Sequence, residues 1–97
     1  MAVFYDFLRS MSKKGFYEIL GYIAKNNGIH YNDVLRYCME KQIIQSRASV
    51  TIILNGLTEL GLVTREISQT RPIRTTYTIN KKGTKTLKHL REMESMF

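Results

Sequence analysis

Apolar residues recur at helical spacing in five stretches of the chain, and alternate at strand spacing in two more. Val3, Phe4, Phe7, Leu8 and Met11 share one face of a short helix over residues 3–11, with Asp6 and Arg9 falling between them. Phe16, Ile19, Leu20, Ile23 and Ala24 do the same over 16–27, where Asn26-Asn27-Gly28 supplies a stop. Gly21 inside that helix costs up to about 1 kcal/mol relative to alanine, which predicts a close helix–helix approach there. Val34, Leu35 and Cys38 mark a third helix over 32–41, capped by Asn32 or His30. Val50, Ile53, Leu54, Leu57 and Leu60 mark a fourth over 47–60. Ser46 opens it as an N-cap, its hydroxyl accepting from a backbone N–H, and Gly61 ends it. Residues 62–67 and 75–79 are β-branched and roughly alternating, so they predict two strands. The loop between them holds Pro72, which has no N–H for a strand ladder. Asn80 then caps a last helix with Leu87, Leu90, Met93 and Phe97 on one stripe.

The order is helix, helix, helix–turn–helix, hairpin, helix. It predicts a mainly α fold with a small β-hairpin (α+β), arranged as a winged helix-turn-helix with an extra helix at each end. At 97 residues the chain reads as one domain, 1–97, with the winged-helix core at 12–80 and dimerisation helices expected at 1–11 and 81–97. Both terminal stripes are apolar. Packed against their copies across a two-fold axis, Val3, Phe4, Phe7, Leu8, Leu87, Leu90, Met93 and Phe97 would bury what a small monomer leaves open. The other reading folds both stripes onto the chain's own core.

Composition sharpens this picture. No apolar run approaches about 18 residues, so no membrane span is expected. The start Met1-Ala2-Val3-Phe4-Tyr5-Asp6 lacks a signal-peptide pattern, which predicts a cytoplasmic, intracellular protein. The net charge of +7 is local. Arg65, Arg71, Arg74, Lys81, Lys82, Lys85, Lys88 and Arg91 stand against Glu66 alone over residues 62–91, while the rest of the chain balances. A basic surface concentrated on hairpin and last helix suits a phosphate backbone; the bland reading is a solvated face.

The fourth helix, taken as 46–60, is the candidate reader of DNA. Its apolar stripe leaves Ala48, Thr51, Ile52, Asn55 and Glu59 outward, with Arg47 and Ser49 at the flanks. Small and polar side chains let a helix sit deep in a major groove. Asn55 suits adenine, Arg47 guanine or phosphate, and the methyls of Thr51 or Ile52 meet thymine. Ser46 and the free N–H groups of the first turn suit a phosphate. Glu59 is expected beyond the groove edge. In the wing, taken as 67–75, Gln69, Arg71 and Arg74 would lie along phosphates or enter a narrow minor groove.

The run Leu54–Arg65, followed by Arg74-x-x-Tyr77-x-Ile79-Asn80-x-Lys82-Gly83, resembles the winged-helix transcriptional regulators of bacteria and archaea, the PadR-like and MarR-like groups among them. It is similar also to compact winged-helix proteins of archaea and their viruses. The resemblance covers roughly residues 16–90, with Asn80 in place of the usual threonine cap. The long C-terminal helices of larger PadR members are absent, so their dimer geometry does not carry over. The resemblance implies a homodimer on a pseudo-palindromic site, with its recognition helices in successive major grooves about 34–36 Å apart.

Cys38, the one cysteine, excludes an intrachain disulfide. It reads first as a buried hydrophobe; an intersubunit disulfide and a redox sensor are the alternatives. His30 and His89 have no partners at metal-ligand spacing, so no metal and no cofactor is expected. No paired carboxylates, nucleophile elbow or phosphate-cradling loop points to an enzyme. The sequence therefore predicts a sequence-specific regulator of double-stranded DNA acting by promoter occupancy. The alternatives are a winged-helix module for RNA or protein contacts, or non-specific DNA binding. Tyr5, Tyr17, Tyr22, Tyr31 and Tyr37 are candidates for a small-molecule pocket, but they read more simply as core and boundary residues, and the effector is left unknown.

Overall fold

The computed structural model describes residues 2–97; Met1, the first position of the expected terminal helix, lies outside the described residues. Among the described residues, five helices and three short strands follow one another in the order α1 (Ala2–Met11), α2 (Phe16–Lys25), β1 (Ile29–His30), α3 (Tyr31–Glu40), α4 (Arg47–Glu59), β2 (Val63–Ile67), β3 (Thr75–Ile79) and α5 (Lys81–Glu94). The fold is mainly helical, with a small antiparallel sheet.

The core lies where α2, α3 and α4 meet. Phe16, Ile19, Leu20 and Ile23 of α2 pack with Val34 and Cys38 of α3 and with Val50, Ile53, Leu54 and Leu57 of α4. These are the stripes that the 3.6-residue period picks out, so amphipathicity fixed which face turned inward. Leu62, Val63, Tyr77 and Leu87 close the core from the sheet and α5. On the outside, α1 docks through Phe7, whose ring meets Phe16 edge-on at 6.1 Å between centroids.

The expected hairpin of β2 and β3 forms, and the sheet gains a third strand that the pattern did not show: β1 joins β3 on the edge opposite β2, pairing Ile29 with Tyr77 and His30 with Thr76. A two-residue strand shows no alternation, so pattern alone could not reveal it. Asn27 also works for the sheet, because its Oδ1 accepts from the Ile79 N–H at 3.0 Å. The cap of α3 is His30, not Asn32, and its side chain makes no capping bond.

Gly21 faces no helix backbone. The nearest atom to a Cβ placed there is an Arg91 guanidinium nitrogen at 3.9 Å, an ordinary contact, so the expected close helix approach is absent. Gly83 is the glycine that packing demands: a Cβ there would overlap the Leu62 carbonyl oxygen.

Candidate nucleic-acid interface

Helix α4 starts as its sequence predicts. Ser46 is extended, and its Oγ accepts from the Ser49 N–H at 3.3 Å. Its C-terminal end is held by the start of α5. Asn80 Oδ1 accepts from the Gly83 N–H at 2.8 Å, while Asn80 Nδ2 donates to the Gly61 carbonyl at 2.7 Å. Lys82 Nζ donates to the Leu60 carbonyl at 2.9 Å. A cation therefore sits on the negative end of the α4 dipole, and carbonyls left over by the helix find donors. Gly61 makes the exit turn at φ +75°, a conformation that suits glycine. These contacts set the angle between α4 and the strands that follow.

The outward face of α4 is partly braced. Arg47, Ala48 and Ser49 are exposed, and Ile52 keeps 54% of its surface open. Thr51 is half-buried, and its Oγ1 shares a 2.8 Å hydrogen bond with the Tyr31 hydroxyl. The Arg47 guanidinium lies over the same tyrosine ring, 5.7 Å from its centroid. Asn55 is half-buried, and its Oδ1 accepts from Arg65 Nη1 at 3.0 Å. Glu59 is exposed near the far end of the helix.

Sequence reasoning placed Arg65 in the basic surface and Tyr31 among the candidate pocket tyrosines, but missed both as partners of α4. Arg65 had a usable signal: on the two-residue period of β2 it shares a face with buried Val63, and it stands opposite Tyr77. Burial pushes the Tyr77 hydroxyl pKa up, and the neighbouring Arg65 pulls it back. Tyr31 had none, since its contact with Thr51 joins two helices.

In the wing, the Ser68 N–H donates to the Arg74 carbonyl at 2.8 Å and closes the loop. Gln69, Arg71 and Arg74 are all exposed. So is Ile73, at 69%, and Ile67 beside it, so the tip is less uniformly polar than its sequence suggests. A cleft between the wing and the start of α3 is lined by His30, Tyr31, Arg36, Ile73 and Arg74 among others.

The residues assigned to a dimer interface divide. Val3, Phe4, Leu8, Met93 and Phe97 are exposed. Phe7 and Leu90 are half-buried against the core. Leu87 is corrected: it is 3% exposed in the single chain, because α5 turns that position onto α2 and the sheet. The intersubunit disulfide at Cys38 is corrected too. The thiol has no exposed surface, and burial pushes its pKa up to about 11, with Glu18 adding a smaller push. The tyrosines serve mostly as structure. Tyr22 and Tyr37 stack with centroids 3.9 Å apart, and Tyr17 donates to Glu94 Oε1 at 2.8 Å. Among the described residues no group of three or more His, Cys, Asp or Glu could hold a metal ion, and no helix is long and apolar enough to cross a membrane.

No protein-family model and no curated protein matches this chain. Among solved structures it is similar to a PadR-like transcription factor from Bacteroides fragilis, with a TM-score of 0.76 and 20% identity over 92% of this chain and 89% of that one. It is similar also to a chain in the structure of Drosophila ORC bound to AT-rich DNA and Cdc6, with a TM-score of 0.61 and 18% identity. That match covers 97% of this chain but only 32% of the other. At such identities the likeness establishes the fold, a winged helix.

Proposed function

We propose that this chain is a sequence-specific double-stranded DNA-binding transcriptional regulator that works as a homodimer. Helix α4 enters the major groove, and the wing at 67–75 lies on the adjacent backbone or minor groove. The observation that carries this reading is the pairing of an outward α4 face made of Arg47, Ala48, Ile52 and Asn55 with a wing tip that exposes Arg71 and Arg74. A slim polar helix fits the groove floor, and arginines beside it fit phosphates. The likeness to a PadR-like transcription factor, and to a chain from an assembly bound to AT-rich DNA, supports the same reading.

Exposed Ile67 and Ile73 favour a second reading, a winged helix that docks on protein. Selection of bound duplexes from a random library at about 0.15 M salt separates the two. An inverted repeat with half-sites about 34–36 Å apart is expected. Recovery of no motif, with binding that vanishes as salt rises, leaves only non-specific attraction. No duplex binding at all favours the protein-docking module.

A further inference from the structure

Lys13 and Lys14 fall outside the basic excess at 62–91, yet the fold carries them to the recognition helix. They lie in the turn between α1 and α2, and this turn is pinned. The Lys13 N–H donates to the Ser10 carbonyl at 3.1 Å, and its own carbonyl accepts from the Phe16 N–H at 3.2 Å. Gly15 follows at φ +96°, buried so tightly that a Cβ would overlap the Cδ1 of Ile44. Ile44 is itself buried, in the turn that leads into α4. The two lysines are thus fixed beside the start of α4 by a contact on which neither side chain depends.

A groove about 480 Å³ in volume results, lined by Lys13, Lys14, Gln42, Gln45, Ser49 and Ile52 with apolar residues at its floor. No acidic side chain lines it among the described residues. Both lysines are exposed, and among the described residues neither joins an ion pair. On the 100° period of α4, Ser49 and Ile52 flank Ala48 on one side, while Arg47 and Thr51 lie on the other. The braces from Tyr31 and Arg65 reach Thr51 and Asn55. The lysine groove and the wing therefore border α4 on opposite flanks.

A helix in a major groove has a sugar-phosphate strand on each side. We propose that Lys13 and Lys14 form a second phosphate clamp, gripping the strand across the groove from the wing, with exposed Ile52 against the sugars or thymine methyls between. The occupant is the backbone of the same DNA duplex, so the assignment rests on the DNA-binding reading above. Charge complementarity and continuity with the α4 face select this occupant. The clamp grips any sequence, because phosphates carry no base identity.

The test is fluorescence anisotropy of the full chain on a random-sequence duplex across a salt series. Wild type is compared with Lys13→Ala/Lys14→Ala and with Lys25→Ala/Lys41→Ala. The second variant removes the same charge from a cleft on the α2–α5 side. The slope of log affinity against log salt is expected to flatten by about 0.9 for each lost phosphate contact in the first variant, and to hold in the second. Ethylation interference on the selected inverted repeat should lose one flank of interfering phosphates and keep the flank beside the wing. A first variant with the wild-type slope, or a control that flattens as much, overturns the clamp while leaving the DNA-binding reading intact. A wild-type protein that binds no duplex at any salt overturns both.

Discussion

Arg65 Nη1 donates to Asn55 Oδ1 at 3.0 Å, so a residue at the root of the wing orients a residue on the outward face of α4. The donated bond occupies one lone pair of the amide oxygen and fixes which way the Asn55 NH2 points. A base that pairs with Asn55 meets a side chain already ordered, with a cation behind it. Asn55→Ala is expected to cost about 1–3 kcal/mol at the preferred site and to relax specificity at one base pair. Arg65→Ala is expected to relax the same base pair, because the freed amide flips between its two orientations. Competition binding over a panel of singly substituted operators checks this. Equal weakening across all sequences would show that neither residue reads a base.

For the wing the proposal assigns a different kind of contact. Arg71 and Arg74 are exposed on a loop that one backbone hydrogen bond closes, which gives them reach but little fixed direction. Arg71→Ala with Arg74→Ala is expected to weaken binding to all sequences alike and to flatten the salt slope by about 0.9 per lost phosphate contact. Anisotropy across a salt series reads it directly. A preserved slope removes the wing from the interface.

Gly83 and Gly21 should respond in opposite directions to the same change. At Gly83→Ala the new methyl group collides with the Leu62 carbonyl, and this pushes α5 away from the end of α4. A loss of roughly 3 kcal/mol is expected, at the upper end of ordinary substitutions. At Gly21→Ala the methyl meets only the flexible end of Arg91 at 3.9 Å. A gain of about 0.5–1 kcal/mol is expected from the stiffer helix interior. Urea unfolding of both variants tests the pair.

How much of this was legible follows from the range of each interaction. As caps and stops, Ser46, Gly61 and Asn80 act on backbone within a few residues, so spacing revealed those roles, though not the reach of Asn80 to the Gly61 carbonyl. The stripe Val50, Ile53, Leu54, Leu57 and Leu60 revealed which face of α4 is core. A stripe tells what is apolar but not what covers it, and Leu87 shows the difference: it is core, not interface. Tyr31 on Thr51, Arg65 on Asn55 and Gly15 on Ile44 join segments far apart in the chain. The period of β2 puts Arg65 on the side of Val63, but no local period names the partner in any of these meetings.

Cys38 is expected to be inert in the folded protein. It is sealed between α2, α3 and α4, and its pKa of about 11 keeps the thiol protonated at neutral pH. A maleimide reagent should label it only after denaturation, and non-reducing electrophoresis should show no covalent dimer. The raised pKa favours the folded state fully below the unfolded thiol's value near 9.0, and that contribution fades as pH climbs towards about 11. Rapid labelling of native protein at neutral pH would contradict this burial.

In the proposed homodimer the terminal helices form the interface, and their exposure decides which substitutions test it cleanly. Phe7 and Leu90 pack against the core, so a charge at either would threaten the fold as well as any interface. Phe4 is 58% exposed and Leu8 lies on the same open side of α1. Met93 and Phe97 leave a second open patch at the end of α5. Phe4→Asp with Leu8→Asp is expected to yield a folded monomer, with the wild-type helical signal in circular dichroism and half the mass in sedimentation equilibrium. The monomer should keep its contacts within one half-site and lose the gain in affinity that a second half-site provides. A variant that stays dimeric would place the two-fold axis away from α1. Met93→Asp with Phe97→Asp then separates the two patches, because an interface built on α5 alone would break only in that second variant.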